Sequence, residues 1–137
     1  MRKSRLLIHA VTVALLAVAV ARAATPMAAT LRVTVDGLNA AGGTLRVGLY
    51  DEPTFPLIGG TPLRSEMVAK ASGAVTVTFA GLPPGAYAIK AFQDTNNDGR
   101  AEGGEPEGIS NGAKPDDFDS AAIVLVPGEN KAAIHLH

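Results

Sequence analysis

Hydrophobic residues recur at every second position along most of the chain. In LRVTVDGL (residues 31–38), Leu31, Val33 and Val35 alternate with polar residues, and GAVTVTFAGL (residues 73–82) repeats this with Val77 and Phe79. A period of two places successive side chains on opposite faces of a β-strand, so one face is buried and the other is solvated. The same pattern predicts strands within residues 43–50, 86–93, 121–126 and 131–137, and a weaker strand within residues 63–71.

About seven such strands, separated by glycine and proline turns, predict an all-β fold. No stretch after residue 23 carries a convincing hydrophobic stripe of helical period. Short alternating strands with turn signals between them are typical of a sandwich. We therefore expect one Ig-like or prealbumin-like antiparallel β-sandwich over residues 24–137. Its expected core residues are Val33, Val47, Val77, Phe79 and Ile89.

The first 23 residues predict a secretory signal peptide. A basic head with Arg2, Lys3 and Arg5 precedes an apolar run, which ends in Ala21-Arg22-Ala23. This order of charge, apolar run and small residues matches the pattern of a cleaved export signal. The alternative is an uncleaved membrane anchor, but the apolar run is short for a membrane span of about 20 residues. We expect cleavage after Ala23 and a periplasmic or secreted protein.

Composition narrows the chemistry of the exported chain. Cleavage leaves eight basic residues against thirteen acidic ones, a net charge of −5, which argues against nucleic acid as a partner. The chain has no cysteine, so disulfides, thiol catalysis and cysteine-ligated zinc are excluded. With no cysteine to carry a lipid, a lipoprotein is excluded as well.

The stretch DTNNDGRAEGGE, residues 94–105, is the strongest candidate site. It matches D-x-[DN]-x-[DN]-G-x5-E, the spacing of a calcium loop, with Gly99 at the sharp turn. Ca²⁺ takes six to eight oxygen ligands, and alternate side chains of such a loop converge on one point. The competing interpretation is a solvated acidic turn, since Asn, Asp and Gly dominate turns. The predicted calcium ligands are Asp94, Asn96, Asp98, Arg100 (through its carbonyl), Glu102 and Glu105.

Two further features carry weaker chemical signals. GISNG, residues 108–112, matches the G-x-S-x-G nucleophile elbow and nominates Ser110 as the nucleophile of a small hydrolase. The elbow, however, belongs to a strand–turn–helix in a large α/β sheet, and this chain is small and β-rich. His135 and His137 share one face of the last strand and could chelate a metal, but two ligands alone make a weak site.

Three segments together resemble an exported bacterial family catalogued as domain of unknown function 2141. They are LRVTVDGLNAAGGTLRVGLYD (31–51), VTFAGLPPGAYAIKAFQDTNNDGR (77–100) and PEGISNGA (106–113). The family has no assigned activity, and it usually has a longer stretch between the acidic loop and the Ser-Asn pair. LPPGAY (82–87) is also similar to a turn and strand of prealbumin-like and Cna-B-type sandwiches. Residues 94–108 resemble the calcium loop of serine-aspartate-repeat B modules, which implies that the same six residues ligate calcium.

Three functions remain open on the sequence. The leading hypothesis is a non-enzymatic exported domain that binds an envelope or extracellular partner, with a calcium-stabilised loop. The second hypothesis is a purely structural envelope protein without a ligand. The third is a small hydrolase that uses Ser110.

Overall fold

The computed structural model describes residues 27–55 and 60–137; the predicted signal peptide lies outside these residues. This part of the chain forms eight strands, one 3-10 turn and one short α-helix. No helix within it is long and apolar enough to cross a membrane. The elements are β1 (Ala29–Asp36), β2 (Thr44–Tyr50), β3 (Arg64–Ala69), β4 (Val75–Leu82), β5 (Gly85–Asp94), β6 (Glu107–Ile109), the 3-10 turn (Ser110–Gly112), α1 (Phe118–Ala121), β7 (Ile123–Leu125) and β8 (Gly128–His135).

The strands form two sheets, and the predicted all-β sandwich is confirmed. One sheet has three strands in the order β4-β1-β8. The other has five, in the order β3-β2-β5-β6, with β7 paired to the first residues of β5. The structure has one strand more than the seven that the sequence predicts: β6, which is only three residues long and lies within the long connection after β5.

One strand pair departs from the expected antiparallel arrangement. β8 runs parallel to β1, in a register from Ala29 opposite Gly128 to Asp36 opposite His135. The reason is the corner before β8, where Gly128 N–H donates to the carbonyl of Ala28 at 3.1 Å. The chain therefore enters the three-stranded sheet at the end where β1 also begins. Every other pair of neighbouring strands in the two sheets is antiparallel within the described residues.

Alternate side chains of both sheets fill the space between them. The five predicted core residues are all buried. Val77, the most exposed of them, has only 6% of its surface accessible to solvent. Fully burying a side chain of this kind stabilises the fold by roughly 1.5–3 kcal/mol. The remaining buried members of this main core are Ala29, Leu31, Val35, Leu45, Leu49, Ala71, Leu82, Tyr87, Ala91, Leu125, Ile134 and Leu136.

A second, smaller apolar cluster covers the outer face of the five-stranded sheet. Phe55, Ala88 and Ala121 are buried there, and Phe118 packs against them. Lys90 Nζ donates to the carbonyl of Phe55 at 2.6 Å and lies 4.2 Å from the centroid of its ring. Burial lowers the pKa of Lys90. The connection after β5 is therefore only partly a loop, because β6, the 3-10 turn and α1 fold back onto the sheet.

The end of this connection also closes one side of the sandwich. Glu107 and His137 exchange backbone hydrogen bonds of 3.3 Å and 3.1 Å between the two sheets. Gly108 makes this close approach feasible, since a Cβ there would lie 2.6 Å from the carbonyl oxygen of His135. The closure fixes the far end of the acidic loop, residues 94–105, against the body of the domain.

Candidate functional site

The acidic loop is suspended between β5 and β6. Its first residue, Asp94, is the last residue of β5 and is completely buried. Residues 96–104 are exposed to solvent, and Glu105 is half-buried just before β6. The loop is therefore anchored at both ends in the five-stranded sheet, while its middle projects outward.

Asp94 is the hub of the loop. Its Oδ2 accepts hydrogen bonds from Arg46 Nε at 2.7 Å and from Gly99 N–H at 2.9 Å, and its Oδ1 accepts from Asp98 N–H at 3.1 Å. Burial by itself would raise the pKa of this carboxyl. The hydrogen bond and charge of Arg46, with the two amides, outweigh burial, so the pKa lies below its ordinary value of 3.8. Asp94 is thus held as a carboxylate.

Two further side chains wind the loop by local turns. Asn96 Oδ1 accepts from Asp98 N–H at 3.1 Å, and Asp98 Oδ1 accepts from Arg100 N–H at 2.9 Å. These bonds to the residue two positions later are Asx turns. Gly99 has a φ of 83°, in the left-handed region that glycine adopts without steric cost. These turns wind residues 96–100 into one tight coil.

Glu105 closes the coil from its far end. Its Oε1 accepts from Thr95 N–H at 2.8 Å and from Thr95 Oγ1 at 3.1 Å. Its Oε2 accepts from Glu102 N–H at 3.0 Å. Both carboxylate oxygens therefore face the interior of the loop, as residue 12 of a calcium loop requires. Each oxygen still has lone pairs left for another partner.

Negative charge is concentrated where Glu102 meets Asp98. Hydrogen bonding and repulsion from the Asp98 carboxyl, with burial and the charge of Glu105 adding to them, raise the pKa of Glu102 above its ordinary value of 4.5. Asn96 Nδ2 donates to Glu102 Oε2 at 3.1 Å and offsets part of this effect. Two carboxyl groups this close favour either a shared proton or a shared cation.

The five predicted side-chain ligands all make hydrogen bonds within the loop, and Arg100 takes part through its backbone N–H. Carboxylates alone do not complete a site: within the described residues, no group of three or more His, Asp or Glu side chains is positioned to hold a metal ion. A calcium shell here therefore depends on the Asn96 amide and the Arg100 carbonyl as well. The six-ligand assignment stays a prediction.

Two residues of β2 support the loop and carry no motif in the sequence. Arg46 pairs with Asp94, and Thr44 Oγ1 donates to Asn97 Oδ1 at 2.7 Å. Both lie about fifty positions before their partners. Only the pairing of β2 with β5, which sets Thr44 opposite Asp94, brings them to the loop. The alternating pattern of residues 43–50 predicts a strand but does not indicate which residue Arg46 contacts.

Ser110 occupies a structural position in the fold. It is completely buried, accepts a hydrogen bond from Ile89 N–H at 3.0 Å and donates to the carbonyl of Ala121 at 2.6 Å. The G-x-S-x-G segment here spans the last two residues of the three-residue strand β6 and the 3-10 turn that follows it. Its serine proton is committed to a carbonyl, which disfavours the role of nucleophile.

His135 and His137 project from the same side of the chain, as predicted. Their rings are stacked with centroids 6.5 Å apart, and both residues are exposed. His135 Nδ1 lies 2.7 Å from Asp36 Oδ1, a neighbour that the parallel register supplies. His137 also lines a shallow cleft of about 440 Å³ with residues 101–107. A metal at this pair stays an untested hypothesis.

Comparisons with known proteins place the chain in a family without assigning an activity. No curated protein matches it. One solved structure, a pilus-presented adhesin (Spy0125, Cpa; Cys426Ala mutant), aligns at 14% identity and a TM-score of 0.27. The alignment covers 82% of this chain, which spans only 27% of the adhesin chain. A family model matches residues 33–133, and the chain therefore belongs to the family described as "Uncharacterized protein conserved in bacteria (DUF2141)".

Proposed function

We propose that the protein is an exported, non-enzymatic binding module whose acidic loop is organised by Ca²⁺. The observation that carries this proposal is the winding of the loop. Asp94, Asn96 and Asp98 each accept a hydrogen bond from an amide two to five residues later, and this winds the acidic segment into one coil. Hard oxygen donors in such a coil are the ligands that calcium prefers.

The charge distribution of the loop supports a divalent cation over a bare turn. Glu102 and Asp98 interact unfavourably as two carboxylates, and Glu105 adds to the repulsion. Arg46 neutralises only Asp94, at the base of the loop. A divalent ion would remove the remaining repulsion between these carboxylates.

The hydrogen bonds also indicate a weak site. Both oxygens of Glu105 accept amides, so bidentate coordination requires adjustment of those bonds. Extracellular calcium modules commonly have dissociation constants of about 10⁻⁴–10⁻³ M, and we expect this range here. Magnesium should substitute poorly, because it demands a smaller and nearly ideal octahedral shell.

Export is part of the proposal and rests on residues 1–23, which the structure does not describe. The basic head, the apolar run and the Ala-Arg-Ala end support it. The buried, hydrogen-bonded Ser110 supports a non-enzymatic role. The partner that the module binds would be an envelope or extracellular molecule, since the acidic exported chain is a poor ligand for nucleic acid.

Calorimetric titration of the exported protein tests the calcium proposal. Calcium should give a saturable heat with one site per chain, and magnesium a much weaker one. Asp98→Asn should weaken binding strongly, because it removes charge at the centre of the loop. Glu129→Gln is the matched control, an exposed acid on β8, and should leave the affinity unchanged. No heat with millimolar calcium would contradict the proposal.

A structural envelope protein without a ligand is the second candidate, and one observation favours it. Every buried side-chain nitrogen or oxygen among the described residues has a hydrogen-bond partner. Asp94, in particular, is neutralised by Arg46 without a metal. If calcium neither binds nor raises the melting temperature, this second function is the one to retain.

A further inference from the structure

β3 forms an outer edge of the five-stranded sheet. It bonds to β2 on one side, and no strand of the described residues pairs with its other side. Such an edge presents free N–H and C=O groups that can accept another strand. Two apolar side chains are exposed at this edge. Met67 in β3 exposes 62% of its surface, and Leu63, directly before β3, exposes 46%. This combination is typical of a surface that acquires a partner.

The sheet pairing shows which backbone groups are free. In an antiparallel sheet, successive residues direct their N–H and C=O to opposite neighbours. Gln93 N–H donates to Pro106 on the β6 side, so the even-numbered residues of β5 bond to β2. The odd-numbered residues of β2 must then bond to β3, where they face Arg64, Glu66 and Val68. Ser65 and Met67 therefore direct their backbone groups toward the free edge.

We propose that a second copy of the chain pairs with this edge, β3 against β3 and antiparallel about Ser65. A twofold axis at Ser65 lets its N–H and C=O exchange hydrogen bonds with those of Ser65 in the other copy. The same register sets Arg64 opposite Glu66 of the second copy, twice, by symmetry. It also sets the exposed Met67 beside the exposed Leu63.

The charges of Arg64 and Glu66 on β3 favour a second copy of the chain as the partner and favour this register. Shifting the pairing by two residues in one direction places Glu66 opposite Glu66, and in the other direction places Arg64 opposite Arg64. Like charges directly opposite each other destabilise a strand pair, whereas opposite charges stabilise it. A shift by one residue would set Ser65 opposite Arg64 or Glu66 of the second copy. The N–H and C=O groups of those two residues already bond to β2, so the backbone groups of Ser65 would have no partner. The edge is therefore complementary to itself in one register.

The pairing would join two sandwiches into one continuous sheet, with the second copy's β3 beside the first. The contact is a short strand pair with few apolar side chains. We therefore expect a reversible dimer at the weak end of protein interfaces. The acidic loop follows β5, two strands away from β3, and Arg46 on β2 contacts both: its Nε donates to Asp94 Oδ2 and its Nη1 donates to Met67 Sδ at 2.9 Å.

The absence of cysteine allows a direct test of the twofold axis. Residues opposite each other in a hydrogen-bonded antiparallel pair have Cα atoms about 5.5 Å apart, within the range that a disulfide spans. Under mild oxidation of the exported protein, Ser65→Cys should form a disulfide dimer far faster than Ser72→Cys, an exposed control beyond β3. Equal or negligible crosslinking of both variants would overturn the proposal.

Charge reversal tests the register. In sedimentation equilibrium, Glu66→Arg or Arg64→Glu alone should weaken the dimer at least about tenfold, because both symmetric pairs become repulsive. The double variant R64E/E66R should restore it, whereas the control Glu129→Arg should have no effect. Melting temperatures establish that each variant is folded. A monomer at all concentrations, or a dimer that ignores both reversals, would overturn the proposal; the first result would leave the edge to a different partner.

Discussion

Ser110→Ala provides the sharpest test of how the connection after β5 is held to the domain. The hydroxyl serves two buried backbone groups, the N–H of Ile89 in β5 and the C=O of Ala121 in α1. Alanine lacks this hydroxyl, so both backbone groups lose their hydrogen-bond partner. The space that is left is too small to admit a water easily. Each backbone group left buried and unsatisfied costs about 1–3 kcal/mol. The free energy of unfolding should therefore fall by about 2–6 kcal/mol.

That loss is large enough to measure by thermal or urea unfolding. The 114 residues that follow Ala23 correspond to an unfolding entropy of about 0.24 kcal/mol/K, so the melting temperature should fall by roughly 8–25 °C. Ser120→Ala is the matched control. Its hydroxyl is exposed and donates to Asp117 within one turn, so its removal should cost no more than about 1 kcal/mol.

Two results would refute this reasoning in different ways. If Ser110→Ala melts within about 2 °C of the unaltered protein, the buried hydrogen bonds do not contribute as argued. If the unaltered protein turns over a generic ester and Ser110→Ala abolishes the turnover without changing stability, the hydrolase alternative is correct. The structural role predicts a stability loss and no esterase activity in either protein.

Four further predictions follow from the core, the loop and the leader. Val77→Ala should lower the free energy of unfolding by about 1–3 kcal/mol through lost burial and an unfilled space, measured by urea unfolding. Calcium at ~100 times its dissociation constant should add about 2.7 kcal/mol of stability, and Asp94→Ala or Glu105→Ala should abolish that gain while circular dichroism stays β. Calcium affinity should fall as the pH falls, and the fall should begin above pH 4.5. The raised pKa of Glu102 means that a proton competes with the ion for this carboxylate already above that pH. Titrations between pH 7 and 4 check this. The exported protein should have an intact mass that begins at Ala24; retention of residues 1–23 in a membrane fraction would contradict cleavage.

Without calcium, the free energy of unfolding should decrease as the pH falls. The folded pKa of Asp94 lies below its unfolded value, so the stabilisation it provides is present above pH 3.8 and is lost as pH falls through the folded pKa. Arg46→Gln removes the charge partner and should shift this loss to higher pH. Urea unfolding between pH 6 and 2 measures both curves, and identical curves would show that the ion pair does not couple to folding.

Local patterns made most of the fold predictable. Burial at every second position depends only on neighbouring residues, and it correctly located the core at Val33, Val47, Val77, Phe79 and Ile89. The parallel pairing of β8 with β1 could not be predicted in this way. It depends on where the chain crosses between sheets, and the two strands are about a hundred residues apart.

The contacts of the candidate site are also of two kinds: local contacts, which the sequence predicts, and long-range contacts, which it does not. The Asx turns at Asn96 and Asp98 connect residues two positions apart, and the sequence motif contains them in full. The ion pair of Arg46 with Asp94 connects residues 48 positions apart and follows from the register of β2 against β5. Ser110 shows the converse: its motif suggested chemistry, but tertiary burial assigned its hydroxyl to two backbone groups.

The most direct test of the calcium-organised loop is an amide nuclear magnetic resonance titration of the exported protein with calcium. The proposal predicts that the amide signals of Asp98, Gly99, Arg100 and Glu102 shift together along one saturating curve, because these amides bond to the carboxylates and amide that take the ion. The signal of Ile89, in the core, should stay in place. Small shifts scattered over the acidic surface, without saturation at millimolar calcium, would show that residues 94–105 form a solvated turn.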